Sequence, residues 1–414
     1  MSDAPGVSEA KGETSASSRI VSMDQFRGYT VAGMFVVNFL GGYAAIHPVM
    51  KHNNNYFSYA DSIMPSFMFA AGFSYQLTAL RRLRRLGAIP YGKFIARGLG
   101  LVLVSLMMYG FGESFKTWDQ VTSEKVSVFL ARLVKANLWE VLAIIGVSQI
   151  LILPFIGRGP GIRAAAALAF AGGHMVISYL FNFDFVFGRP NPLDEYLGTQ
   201  GSTAWDGGVF GLLMWSTLML IGSLAYDVVA STPGWRSAPK LIAWGASFLL
   251  LCYALSCLSM LYDGETPQDK RSTAASPVFP PLERLSGRAW STMLAEPPLV
   301  QPPPPTQRPH NYWMMHKRIV SIPFVAFSAG WALALYGIFV VVFDSTGWGI
   351  GLFRTFGQNA LAAYVLHHMV EVSIHTILPK DAPLEACMAG LAVFFAITYV
   401  FVRFLEKQGV YIRL

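Results

Sequence analysis

The chain has 414 residues, 53% of them hydrophobic and only 13% charged, with a net charge of +7 and a mean hydropathy of +0.44. Soluble domains carry about 25% charged residues, so this composition excludes a water-soluble globular fold. Apolar runs of about 20 residues, each enough to span a bilayer, recur along the whole length, and an all-α polytopic transmembrane bundle follows.

In chain order, residues 1–18 are polar, lack the apolar run of a signal peptide, and are expected to form a disordered cytoplasmic tail. Ten spans are expected near residues 28–47, 57–79, 95–113, 138–157, 162–182, 208–230, 239–261, 319–343, 357–377 and 384–404. They form a first transmembrane portion (19–262) and a second (313–414), separated by a loop over 263–312. Residues 121–136 have apolar positions at helical spacing but are short and charged, so they are expected to lie in the membrane interface. Lysine and arginine set the orientation. The loop after the second span carries Arg81, Arg82, Arg84, Arg85, Lys93 and Arg97 and is expected in the cytoplasm. An even number of spans puts both termini there too, and the 47–55 loop on the opposite face.

Polar residues interrupt the first two spans. The first opens Met23-Asp24-Gln25-Phe26-Arg27-Gly28 and holds Asn38; the second opens Tyr59-Ala60-Asp61 and passes Pro65. A carboxylate at the centre of a membrane helix costs roughly 2.5–3.5 kcal/mol, so such residues face a cavity or a partner. Asp24 and Arg27, three apart on one helical face, can anchor the helix as an ion pair or grip an anionic ligand. Asn38 lies about 16 Å deeper and serves either helix packing or a polar path. Asp61 starts near the outer face with Ser58, Tyr59 and Ser62, below the loop that carries His52. Imidazole titrates near physiological pH, which suits His52 to acid–base or nucleophilic work; an inert loop histidine is the alternative. His47, beside Pro48, is expected in a turn.

The ninth span adds Asn359, Tyr364, His367, His368 and Glu371, with His367 about 12 Å beyond Asn359. Adjacent histidines point to different faces of a helix, which argues against a metal pair. No metal is expected, since Cys252, Cys257 and Cys387 lie in apolar segments without ligand spacing. No nucleic-acid partner is expected either, because the arginines at 81–85 are accounted for by topology. The 263–312 loop contains 11 of the 24 prolines, including the run 302–305. It is expected to be a mobile insertion, with a recognition role as the alternative.

Ser22-Met23-Asp24-Gln25-Phe26-Arg27-Gly28, Val37-Asn38, and Lys51-His52 followed by Ala60-Asp61 and Pro65 resemble the heparan-α-glucosaminide N-acetyltransferase family and its bacterial relatives. These are polytopic transmembrane acyltransferases. The likeness continues through Trp205-Asp206-Gly207-Gly208, residues 315–330, and the 359–364 stretch with His367, so it covers roughly residues 19–405 apart from the proline-rich loop. The resemblance implies transfer of an acetyl (acyl) group from cytoplasmic acetyl-CoA to an amine or hydroxyl of an amino-sugar or glycan acceptor on the non-cytoplasmic side. It implies His52 as the active residue, acting as base or acyl carrier, with Asp61 orienting or stabilising its imidazole. Asp24 and Arg27 would stand at the donor mouth, with Arg27 and nearby basic residues on the CoA phosphates, and Asn38, Asn359 and His367 would line the path between. A cell (inner) membrane location is expected, and family analogy adds a homodimer. On the residues alone, a solute transporter or a non-catalytic scaffold working through the proline-rich loop stays open.

Overall fold

The computed structural model describes residues 20–53, 56–112, 114–232, 234–265, 273–301 and 308–412. The expected tail and the run of prolines at 302–305 lie outside them. Among the described residues there are fourteen α-helices and no strand, the one β-bridge joining Thr273 to His310.

The first half comprises α1 (Val21–Gly41), α2 (Tyr59–Leu86), α3 (Tyr91–Tyr109), the short α4 (Ser123–Arg132), α5 (Val141–Ile152), α6 (Pro160–Ile177), α7 (Phe183–Phe187) and α8 (Pro192–Leu197). Then come α9 (Gly208–Ser231), α10 (Ala238–Ser256), α11 (Ile322–Phe339), α12 (Gly351–Gln358), α13 (Ala360–His375) and α14 (Leu384–Lys407). Six stretches are long and apolar enough to cross a membrane: α3, the α6–α7 stretch, α9, the stretch around α10, α11 with its extension to Asp344, and α14. The other four expected span positions are filled differently. Helices α1 and α2 are long but carry Asp24, Arg27 and Asp61, and α5 has 12 residues. The ninth position is split at Asn359 (φ −124°, ψ 46°) into α12 and α13.

Helix α1 also starts earlier than its hydropathy predicts. Ser22 donates from its backbone N and its Oγ to the two carboxylate oxygens of Asp344 (2.9 and 2.7 Å), which ties the first turn down. Asp24 and Arg27 therefore lie inside the helix. Helix α2 has clear end signals: Ser58 Oγ accepts from Asp61 N (3.2 Å) at its start, and Gly87, in the left-handed region at φ 72°, ends it.

Helix α9 is the hub. Protein surrounds 78% of its apolar window, against 22% for α3, α6–α7, α10 and α14. It packs on α2, α5, α6 and α11. The outer helices turn Leu103, Met107, Leu168, Leu250 and Phe401 outward, and so much exposed apolar surface belongs in lipid. The chain is an integral membrane protein. Without a hydrophobic drive between helices in lipid, close backbone contact must hold the bundle, and small residues permit it. A Cβ at Gly72 would sit 2.0 Å from Met219 O, and one at Gly222 would sit 2.1 Å from Phe69 O, so α2 and α9 meet backbone to backbone.

The proline-rich loop, expected as a mobile insertion, makes defined contacts in its described parts. Its described parts are pinned by arginines that neutralise carboxylates and satisfy orphaned carbonyls. Arg308 pairs with Asp263 (2.6 Å) and Glu296 (3.2 Å), while Arg284 and Arg288 donate to Leu261 O and Met260 O, both at 2.9 Å. Leu299 N reaches across to Phe57 O (2.8 Å), so this loop packs on the turn that leads into α2.

Candidate active site

The turn before α2 is built around one buried carboxylate. Asp61 is fully buried, yet its Oδ2 accepts from Asn53 N (2.9 Å) and Ser58 Oγ (2.7 Å). Its Oδ1 lies 3.0 Å from Nδ1 of the half-exposed His52. Lys317 Nζ also lies 3.5 Å from that Nδ1, and one nitrogen cannot serve both. The shorter contact to a carboxylate is the stronger one, so Nδ1–H donates to Asp61 and the lysine acts through its charge. In the neutral ring this leaves Nε2 as the nitrogen that can accept a proton. His47 closes a small turn through its Nδ1, which accepts from Val49 N (3.2 Å).

Three other helix starts converge on this dyad. Lys317, in the turn before α11, stands 4.0 Å from Asp61 Oδ1 and 3.6 Å from Asp206 Oδ1. Asp206 precedes α9, and Glu140 occupies the N-cap position of α5 without a capping hydrogen bond. Burial pushes the Asp206 carboxyl above its usual range; Lys317 and His52 oppose the shift and Asp61 adds to it. The starts of α2, α5, α9 and α11 thus gather their partial positive charge at one place.

The backbone there is held under strain. Asp206 (φ 48°) and Val320 (φ 55°) are non-glycine residues in the left-handed region. Gly207 (φ 81°) and Gly208 (φ 58°) continue that turn, and Gly207 N donates to Arg318 O (2.7 Å). A side chain at Gly208 would meet Lys135 O at 2.7 Å. Trp215 Nε1 fixes Asp206 O (3.0 Å), while His316, whose pKa is held well below its usual value mainly by burial, accepts from Arg318 N (3.2 Å) and shapes the Lys317 turn.

Two cavities meet inside the bundle. The first, about 180 Å³, is lined by His52, Asn38, Glu140, Trp205, Asp206 and Lys317, with Tyr109 and Tyr364 at its floor. The second, about 640 Å³, is lined by Asp24, Arg27, Arg81, Arg97, Gln149 and Gln358. Phe67 and Tyr364 line both, so the histidine cavity and the arginine cavity adjoin at these two side chains. Tyr364 is steadied by a hydroxyl contact to Tyr109 (3.2 Å). Helix α1 runs from one to the other, Arg27 facing the arginine cavity and Asn38 the histidine cavity.

Of the residues singled out from sequence, His52 and Asp61 touch, and Asn38 shares the histidine cavity. Asp24 and Arg27 line the arginine cavity. Asn359 and His367 line neither. Asn359 is buried where α12 breaks, and its amide clasps the C-terminal segment through Val410 O (3.0 Å) and Ile412 N (3.1 Å). His367 stacks on Phe35 (5.0 Å between ring centres) and donates from Nδ1 to Tyr364 O. Its ring packs between helices and lines neither of these two cavities. Sequence reasoning passed over Lys317 and Glu140, did not weigh Asp206 as a site residue, and assigned Arg81 and Arg97 to topology alone. A signal existed: if spans alternate, those that begin at His52's face are the second, fourth, sixth and eighth. Asp61, Glu140, Asp206 and Lys317 sit at the starts of those four.

The catalytic-domain model of heparan-alpha-glucosaminide N-acetyltransferase matches residues 19–255, more than half of the chain. No curated protein matches it. The matched stretch runs from the first turn of α1 through the His52–Asp61 turn, Glu140 and Asp206 to α10. The chain belongs to the heparan-alpha-glucosaminide N-acetyltransferase catalytic family, a family of membrane acyltransferases.

Proposed function

We propose that this protein moves an acetyl (acyl) group from acyl-CoA on the cytoplasmic side to an amino-sugar or glycan acceptor on the other side of a cell (inner) membrane. The observation that carries this reading is the pair of cavities of opposite chemistry that adjoin at Phe67 and Tyr364. Arg27, Arg81 and Arg97 offer guanidinium groups suited to the phosphates of CoA. They belong to the face that the basic residues assign to the cytoplasm. From the level of Arg27 to that of Asn38 is about 16 Å along α1, a path an extended pantetheine arm can follow.

In the histidine cavity the acceptor nitrogen gives a proton to His52 Nε2 as its lone pair bonds to the thioester carbonyl carbon. The C–S bond then breaks, and the leaving thiolate takes that proton back. The products are an amide and a free thiol, with His52 restored. Asp61 keeps Nδ1 protonated and steadies the transient imidazolium. Lys317 and the four helix starts supply positive charge for the developing oxyanion. The same Nε2 is the nucleophile if the acyl group rests on His52 in passing.

Purified protein given labelled acetyl-CoA and a panel of amino sugars is expected to transfer label, and His52→Ala to lose the transfer. No transfer by the wild type to any member of the panel, or equal transfer by both proteins, contradicts the proposal.

A further inference from the structure

The histidine cavity holds more negative charge than this transfer uses. Asp61 is saturated by His52, Asn53 and Ser58. Lys317 is shared between Asp61 and Asp206. Glu140 lines the same cavity; it is exposed, and its carboxylate makes no capping hydrogen bond to α5 and no hydrogen bond or ion pair with another described side chain. Asp206, with 7% of its surface exposed, has an Oδ1 whose contact with Lys317 Nζ, at 3.6 Å, is longer than a hydrogen bond. Three carboxyl groups face one lysine, so whenever they are ionised and His52 is neutral the cavity is negative, against the burial that holds the Asp206 carboxyl above its usual range. In a small space walled by Tyr109, Tyr364 and Met64, that charge attracts a cation strongly.

We propose that Glu140, with Asp206, anchors the acceptor as a protonated primary amine and so sets the preference of the site for ammonium over hydroxyl. This rests on the histidine cavity being the acceptor site. The anchored ammonium first yields one proton to His52 Nε2, and the half-exposed imidazole releases it to water before it takes the second proton during attack. When the thiolate is protonated in turn, one proton is released for each amide formed. Glu140 acts here as a specificity-determining residue, while His52 performs the chemistry.

The test is equilibrium binding of glucosamine and of glucose to the purified full-length protein, with no acyl donor present. The wild type is expected to prefer glucosamine by about tenfold or more, the scale of one hydrogen-bonded charge contact. In Glu140→Gln that preference falls toward one, and Glu140→Asp keeps more of it than the glutamine variant. In the unmutated protein, raising the pH until the glucosamine amine is neutral removes the preference, a readout independent of how any variant folds. Equal affinities in the wild type, a preference unchanged in Glu140→Gln, or one that survives at high pH overturns the anchor. Because no donor is used, this outcome is separate from the transfer assay. Absent label transfer with a Glu140-dependent preference refutes the enzymatic reading and leaves the anchor standing.

Discussion

Replacing Asp61 by asparagine exchanges one carboxylate oxygen for an NH2 group with almost no change in volume. Oδ2 receives two donors, Asn53 N at 2.9 Å and Ser58 Oγ at 2.7 Å, whereas Oδ1 receives only His52 Nδ1 at 3.0 Å. The amide therefore keeps its oxygen toward the two donors and turns its NH2 toward the imidazole. Nδ1 must then accept, and the ring proton moves to Nε2, the nitrogen needed as base. The side chain is fully buried, so no water can restore the lost acceptor. A carboxylate-to-amide change beside a catalytic histidine costs on the order of 10,000-fold in kcat through the wrong tautomer. Stability should fall by about 1.5–3 kcal/mol for the charge-assisted bond that is lost. The assay is the initial rate of label transfer across a range of pH, run beside thermal unfolding to confirm folding. A variant that keeps a tenth or more of the wild-type kcat refutes the role of Asp61 in fixing the tautomer.

Lys317→Met leaves the buried Asp206 without its counter-charge, and breaking such a pair costs about 3–5 kcal/mol, read as a lowered melting temperature. Adding Asp206→Asn should recover part of that loss, and an unchanged melting temperature contradicts the pairing. Gly222→Ala drives a Cβ to 2.1 Å from Phe69 O and should exceed the roughly 1–3 kcal/mol of ordinary overpacking, whereas Gly173→Ala, with no atom within 4 Å, should not destabilise. Comparative unfolding of the two variants checks this, and equal stability would falsify the backbone contact between α2 and α9. Arg27→Ala and Arg81→Ala should each raise KM for acyl-CoA several-fold with little change in kcat, and should weaken the salt dependence of that KM. A change confined to kcat would place neither arginine on the donor.

The His52–Asp61 pairing was legible because it is local: nine residues separate the two, and Ser58 caps the helix between them. Hydropathy located helices at the expected positions but missed two boundaries. The Ser22–Asp344 contact, which draws α1 back to Val21, joins residues more than three hundred positions apart. The break at Asn359 depends on a C-terminal segment that folds back onto it. His367 lines neither cavity, since which face of α13 meets Phe35 depends on how the helix is rotated in the bundle. Lys317, Asp206 and Glu140 come together from three separate turns, and only the shared direction of their helices hints at it. The described parts of the 263–312 loop carry short 3-10 turns at Leu282–Leu285 and Trp290–Met293 and no α-helix. Composition could not show that Arg284, Arg288 and Arg308 would hold the segment in place.

The central claim is that an acyl group passes between two cavities that open toward opposite faces. Sealed vesicles of one orientation test it, with labelled acetyl-CoA on the face bearing Arg81 and Arg97 and an amino sugar only on the face bearing His52. Label is expected on the amino sugar with the wild-type protein and not with His52→Ala. Label on an amino sugar supplied only to the same side as the donor, with none on the opposite side, would contradict the account.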